Sequence, residues 1–362
     1  MELKAPLAQI KTALEVSRFT ASSGSPALFG VHIEVKGKSA QFTGYNGEQA
    51  GRTTAALSSG VDGEGLLPRS AVEYINALSD SADLHLTFTA DSVKIVSGKV
   101  SATMRVESPS NYPKVPFATS AGVEIAAAKL RNGLKEVRAA AASATSNRPG
   151  LAGVLFDTVD GELRLVTTDS YRLAISTLAG SPFENGTQIT VPIRAVAELD
   201  RVLSRTDKVT MKVSPTNVSF ETDSMKLSSH LIAAKFPAYG QIVPASKAPS
   251  SMTASSDEIL EAIKRLKIVA PRENRSVKVS CQDGVVSIST VVTTGDTAVE
   301  PLAASTSGDL PSFGVNVDYL ADAVQALGSE TVKLSVHDPL KPLLLTRPGD
   351  EDGKQVMMPI RI

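Results

Sequence analysis

Six short stretches of the chain carry apolar residues at helical spacing. They are Leu7, Ile10 and Leu14; Val72, Ile75 and Leu78; Leu130, Leu134 and Val137; Val196, Leu199 and Leu203; Ile259, Ile263 and Leu266; and Leu320, Val324 and Leu327. Steps of three and four put each set on one face, which predicts an amphipathic helix. Pro6 suits a first helical position, where its missing N–H has no intrahelical partner to lose. Asp257 and Glu258 open the fifth helix, where the positive end of the helix dipole favours carboxylates. Between the helices run alternating, β-branched segments bounded by Gly, Asp and Asn, at 31–35, 84–88, 93–96, 163–167, 209–213, 218–221, 277–280, 285–289 and 332–336. Such alternation reads as antiparallel strands.

The elements recur in order. Residues 68–72 read PRSAV and residues 192–196 read PIRAV, 124 positions apart, each opening a helix after an apolar strand ending. A third copy begins at 315–319, VNVDY, and the unit ends are alike at Tyr112-Pro113, Phe236-Pro237 and Met358-Pro359. Helix, strands, helix, strands thus repeat three times in units of about 120 residues. Ala, Ser, Thr and Pro cluster at 117–121 and 245–251, which sets the expected domains at 1–118, 119–246 and 247–362. The fold class expected is α+β, with two helices and antiparallel sheets in each domain.

Composition narrows the chemistry. The 37 Lys+Arg against 38 Asp+Glu leave a net charge of −1, so binding to nucleic acid must use local patches. Such patches lie on the predicted helices: Lys129, Arg131, Lys135 and Arg138 on one, Lys11 and Arg18 on another, Lys264, Arg265 and Lys267 on a third, Arg194, Arg201 and Arg205 on a fourth. The single cysteine, Cys281, excludes a disulfide framework and a multi-cysteine zinc site. His32, His85, His230 and His337 are far apart with no metal-ligand spacing, so no metal or cofactor is expected. A P-loop and a G-x-S-x-G elbow are both absent. Asp169 beside Ser170 is the nearest approach to an acid–nucleophile pair, and adjacent residues on one turn rarely face each other. An enzyme is therefore disfavoured. With no apolar run of about 18 residues and no signal-peptide core, the expectation is a soluble, intracellular protein that does not use a membrane.

Four segments carry a resemblance to a known family. Residues 153–174 read GVLFDTVDGELRLVTTDSYRLA, 236–244 read FPAYGQIVP, 315–327 read VNVDYLADAVQAL, and the chain ends MPIRI. In this order and at this length they resemble the bacterial β sliding clamps, the processivity subunits of DNA polymerase III. The first repeat is less alike: the family's arginine-containing loop after the first helix is replaced here by 20–29, TASSGSPALF. The resemblance implies a DNA-clamp fold in which a head-to-tail dimer forms a six-domain ring. Helices line the hole and touch duplex DNA without reading its sequence. It also implies a non-catalytic role, tethering the replicative polymerase α subunit, the clamp loader and repair proteins through short linear motifs, in the cytoplasm at the nucleoid.

Three sites follow from the resemblance. The motif pocket is expected to be lined by Leu151, Thr168, Tyr171, Arg172, Leu173, Pro237, Ile242, Asn316, Tyr319, Leu343, Val356, Met358, Pro359 and Ile360. Gln241 stands where the family often has arginine and Tyr171 where it often has histidine, which bears on motif preference. The DNA-facing set is Lys11, Arg18, Lys129, Arg131, Lys135, Arg138, Arg194, Arg201, Arg205, Lys264 and Lys267, with Asn147 and Arg148 matching a family loop close to DNA. The dimer seam is expected to join Ile268 and Val269 to Ala102 and Met104 of the partner strand. The competing reading is a clamp-like peptide-binding scaffold, a decoy or drug-insensitive duplicate, that no longer encircles DNA.

Overall fold

The computed structural model describes residues 1–79, 82–181, 183–270, 275–291 and 295–362. Among them are six α-helices: α1 (Leu7–Ala13), α2 (Arg69–Ala77), α3 (Ala127–Val137), α4 (Ile193–Leu203), α5 (Ser256–Val269) and α6 (Val317–Leu327). Each carries one of the apolar stripes read from the sequence. Four end earlier than the stripe or its basic residues suggest. Leu14 and Arg18 fall in a 3-10 turn, Leu14–Phe19, and Arg138 in another, Arg138–Ala140. Leu78 is the extended C-cap of α2, and Arg205 lies beyond α4.

Helix ends and close approaches have local causes. Asn316 caps α6 by accepting from the N–H groups of Asp318 and Tyr319 at 2.8 and 3.2 Å. Gly328 closes the same helix at φ +58°, a left-handed conformation that suits glycine. Gly133 sits inside α3 because a Cβ there would stand 2.9 Å from Leu165 Cδ1. The helix can therefore pack directly on the sheet behind it.

Two compact units result, Met1–Ala127 with Arg201–Leu231, and Ala128–Asp200 with Ile232–Ile362. The first holds an eight-stranded sheet in which Lys226–His230 of the second repeat pairs with Gln49–Ala56 of the first. It also holds a five-stranded sheet ending at Val100–Arg105. The second unit holds a nine-stranded sheet in which Arg172–Leu178 pairs with Asp350–Met357, setting Arg172 opposite Met357 and Leu173 opposite Val356. A four-stranded sheet of the third repeat ends at Val299–Leu302. All pairings between the described strands are antiparallel. The middle repeat is divided between the units because each of its two sheets continues into a neighbouring repeat.

The core of the third repeat joins Ile259, Ile263 and Leu266 of α5 to Leu320, Val324 and Leu327 of α6 over Val277, Ile288 and Phe313. A smaller cluster of Leu155, Val166, Leu173, Ile175, Phe236, Tyr239, Leu344 and Val356 lies where the second and third repeats share their sheet. No described helix is long and apolar enough to cross a membrane.

Candidate partner-binding site

The site is built on the turn at 168–172, which locks itself. Asp169 Oδ1 accepts from the N–H groups of Tyr171 and Arg172 at 2.9 and 3.0 Å, while Asp169 Oδ2 takes Arg172 Nε at 3.0 Å. Thr168 Oγ1 accepts the Ser170 N–H and donates to the Arg172 carbonyl. Asp suits this place because its short carboxylate reaches its own backbone two residues on. Arg172 then crosses to the third repeat, where Nη1 donates to Asp322 Oδ2 at 2.5 Å and the guanidinium lies 4.4 Å from the centre of the Tyr319 ring.

The strand pairing brings the chain's last residues to this turn. Beyond Met357, the Met358 N–H donates to the Tyr171 carbonyl at 2.9 Å. The result is a cavity of about 210 Å³ lined by Thr168, Ser170, Tyr171, Arg172, Leu173, Pro237, Ile242, Pro342, Val356 and Met358. Its floor is apolar and closely packed, with Leu173 and Val356 nearly fully buried. Its rim is apolar and open, since Tyr171 is 64 %, Ile242 46 % and Met358 44 % exposed. Behind the floor, Tyr239 donates to Asp157 Oδ2 at 2.7 Å, and burial together with that carboxylate pushes its phenol up to about 12. Burial likewise raises the Tyr319 phenol, assisted by Asp169. A cavity this small takes one or two apolar side chains, and exposed apolar rims of this kind mark interaction sites.

Eight of the sequence-predicted pocket residues line the cavity. Six do not. Leu343 belongs to the core of the third repeat, Asn316 caps α6, and Tyr319 stands behind Arg172. Leu151 is buried in the turn Pro149–Leu151, and Pro359 and Ile360 lie past the rim, where the Ile360 N–H donates to the Gly314 carbonyl. Sequence reasoning passed over Ser170, although it sits inside the quoted turn, and Pro342, whose loop has no motif.

Most of the basic residues do not stand free as the sequence suggests. Arg131 Nε and Arg138 Nη1 share Asp200, at 2.8 and 3.6 Å. Lys267 and Arg275 share Asp318 at 2.6 and 3.1 Å, and Arg18 and Arg205 share Glu15, both at 2.8 Å. Lys264 approaches Glu261 at 3.7 Å. Lys129 and Lys11 donate to the carbonyls of Ala179 and Leu78. Lys135, Arg194 and Arg201 are exposed and have no carboxylate within ion-pair distance among the described residues; Asn147 is exposed in its loop. Arg148 turns instead to the pocket, donating to Ser170 Oγ at 2.6 Å. The Asp200 and Asp318 clusters each pair two cations with one carboxylate, so each keeps one surplus positive charge.

Each described sheet ends in two edge strands, and Val100–Arg105 and Val299–Leu302 are two of these. On Val100–Arg105, Val100 is exposed while Ala102 and Met104 are half-buried. On Val299–Leu302, Val299 is 65 % exposed, and at the end of α5 Ile268 is 83 % exposed beside a half-buried Val269. Exposed apolar residues beside unpaired strand edges are surfaces on which a second strand can pair.

The model of the DNA polymerase III beta subunit central domain matches residues 124–238, and that of its C-terminal domain matches 241–361. The beta sliding clamp of Caulobacter vibrioides (strain NA1000 / CB15N) is 28% identical over 299 residues, 80% of each chain. That of Haemophilus influenzae is 24% identical over 341 residues, 93% of each. The crystal structure of the DNA polymerase III subunit beta from Pseudomonas aeruginosa superposes with a TM-score of 0.95 over 100% of both chains at 23% identity. With the two family models spanning nearly two-thirds of its length and the fold agreeing from end to end, the chain belongs to the bacterial beta sliding clamp family, the β subunits of DNA polymerase III.

Proposed function

We propose that two copies of this chain close head to tail into a ring around duplex DNA, and that the cavity at 168–172 tethers the replicative polymerase, the clamp loader and repair proteins by short apolar motifs. The domains are 1–118, 119–246 and 247–362, and the role is mechanical, without catalysis. The observation that carries this reading is the apolar cavity itself. It stands where the second and third repeats share a sheet, with a buried apolar floor, an exposed apolar rim and Met358 as an adaptable wall.

The open edges at Val100–Arg105 and Val299–Leu302 support closure by strand pairing across a heterologous contact, which forms a ring when the rotation closes. The shared carboxylates at Asp200 and Asp318 suit sliding, because phosphates meet single surplus charges instead of dense cation rows. A loaded ring should resist moderately high salt on nicked circular DNA and leave quickly once one cut linearises the DNA. Blocking both ends with bulky proteins should restore retention. Equal retention on circular and linear DNA, lost at the same salt, would refute encirclement and leave the peptide-binding scaffold as the better account.

A further inference from the structure

The turn that builds the partner site occurs twice in the chain. In the first repeat Asn46 takes the place of Asp169, and its Oδ1 accepts the N–H groups of Glu48 and Gln49 at 2.9 and 2.8 Å. Gly47 follows at φ +96°, where Ser170 stands at +82°. The pairing beyond the turn is copied too. The His230 N–H donates to the Glu48 carbonyl at 3.0 Å, as the Met358 N–H does to that of Tyr171 at 2.9 Å. Ala50 stands opposite Ser228 as Leu173 stands opposite Val356, and Ser228 stands opposite Ser219 as Val356 does Leu344. The junction of the first and second repeats is therefore the same scaffold, as an internal repeat implies.

The chemistry laid on the scaffold differs. Leu173, Val356 and Leu344 form an apolar floor, whereas the matching Ser228 and Ser219 are buried hydroxyls. Both engage the segment that leads from the first repeat to the second. Ser228 Oγ donates to the Pro116 carbonyl at 2.6 Å, and Ser219 Oγ accepts the Ala118 N–H at 2.8 Å. Between these bonds Phe117 meets the Arg52 guanidinium, 4.3 Å from the ring centre. The chain's own backbone thus covers positions that form the open floor of the other site. Asn217, also buried, offers Nδ2 to the Pro116 carbonyl at 3.5 Å, while its Oδ1 has no partner among the described residues. A buried acceptor left unpaired is costly, so Asn217 holds the segment poorly and the two serines are its main polar anchors.

We propose that the first junction is a second copy of the partner site, kept shut by the chain's own segment 116–118, and that Ser219 and Ser228 restrict apolar motifs to one site per chain. The inference rests on the partner-motif reading of the cavity at 168–172 and adds the residues that set how many such sites the chain presents. The serines act by specificity: each holds a backbone group that a bound peptide would have to displace, and neither offers the apolar contact that an anchor needs.

Native mass spectrometry of the full chain with an amidated nonapeptide carrying Leu and Phe anchors tests it. The unmodified chain should take one peptide per protomer. Ser219→Leu with Ser228→Val removes both bonds and installs the side chains that the other junction has at these positions, and this variant should take two. Adding Met358→Ala to it should weaken one of the two sites and leave the other. Ser228→Ala, which deletes a single hydroxyl, guards against misfolding of the double variant. It should speed hydrogen exchange at the Ala118 amide at least tenfold, because local opening sets that rate. Two peptides on the unmodified chain, one peptide on the folded double variant, or unchanged exchange in Ser228→Ala overturns the proposal and leaves the cavity at 168–172 as the partner site. Failure of the unmodified chain to take any peptide overturns the partner-motif reading and this proposal with it.

Discussion

Replacing Ile268 by Lys tests ring closure at one residue. Ile268 is 83 % exposed at the end of α5 in the single chain. Fully burying an isoleucine side chain is worth about 1.5–3 kcal/mol. Covering the exposed fraction at a seam therefore recovers about 1.2–2.5 kcal/mol. A head-to-tail dimer contains two identical seams, so the substitution removes about 2.5–5 kcal/mol before the desolvation of two ammonium groups is counted. At 1.4 kcal/mol per tenfold, Kd rises by roughly two to three and a half orders of magnitude. Sedimentation velocity across nanomolar to micromolar concentrations should then report 37.9 kDa for the variant and twice that mass for the unmodified chain. Because the side chain touches little of its own protomer, the folding stability of the monomer should change by no more than about 0.5 kcal/mol. A variant that still sediments as a dimer, with Kd within threefold of the unmodified protein, would show that Ile268 lies outside the interface.

Met358→Ala should weaken binding of an apolar-anchor peptide by about 1–2 kcal/mol while leaving the dimer intact; calorimetric titration of the folded variant checks it, and unchanged affinity would place the pocket elsewhere. Asp200→Asn frees Arg131 and Arg138 from their shared carboxylate. It should raise affinity for linear duplex and steepen the plot of log K against log salt by about one unit; an unaltered slope would mean these arginines do not meet phosphate. Tyr239 has its phenol raised to about 12 in the fold, against about 10 in an unfolded chain. It therefore stabilises the protein fully below pH 10, and that contribution, about 1–3 kcal/mol, is lost as pH rises toward 12. Denaturant titrations at pH 9 to 12 should show a steeper decline for the unmodified chain than for Tyr239→Phe.

The positions of the helices and most strands were legible because burial imposes a period. The stripe Ile259, Ile263, Leu266 predicts a helix wherever the chain folds, and the core of the third repeat uses that face. Helix ends were less legible. Leu78 keeps the spacing of three yet lies in extended backbone, since periodicity records which residues are buried and not where the hydrogen bonds stop. The motif pocket was half legible: Tyr171 and Met358 came from matching segments, but Pro342 enters only through the loop that folds back onto the shared sheet.

The sequence by itself determined the apolar face of each helix and the alternation of the strands, because each depends on neighbours within a few positions, and the recurrence of these elements in order showed the repeat. Pairing at a distance belonged to the tertiary structure. Only the register of Arg172–Leu178 against Asp350–Met357 brings Met358 to Tyr171, although 187 positions separate them. In the same way, folding decides which cation is already neutralised. Arg131 and Asp200 lie 69 residues apart and meet at 2.8 Å, while Arg148 finds a serine instead of a carboxylate. A charge read along the chain counts every ion at full value; in the fold, electrostatics falls off with distance, and the partners that packing brings within a few ångströms decide what charge remains to act.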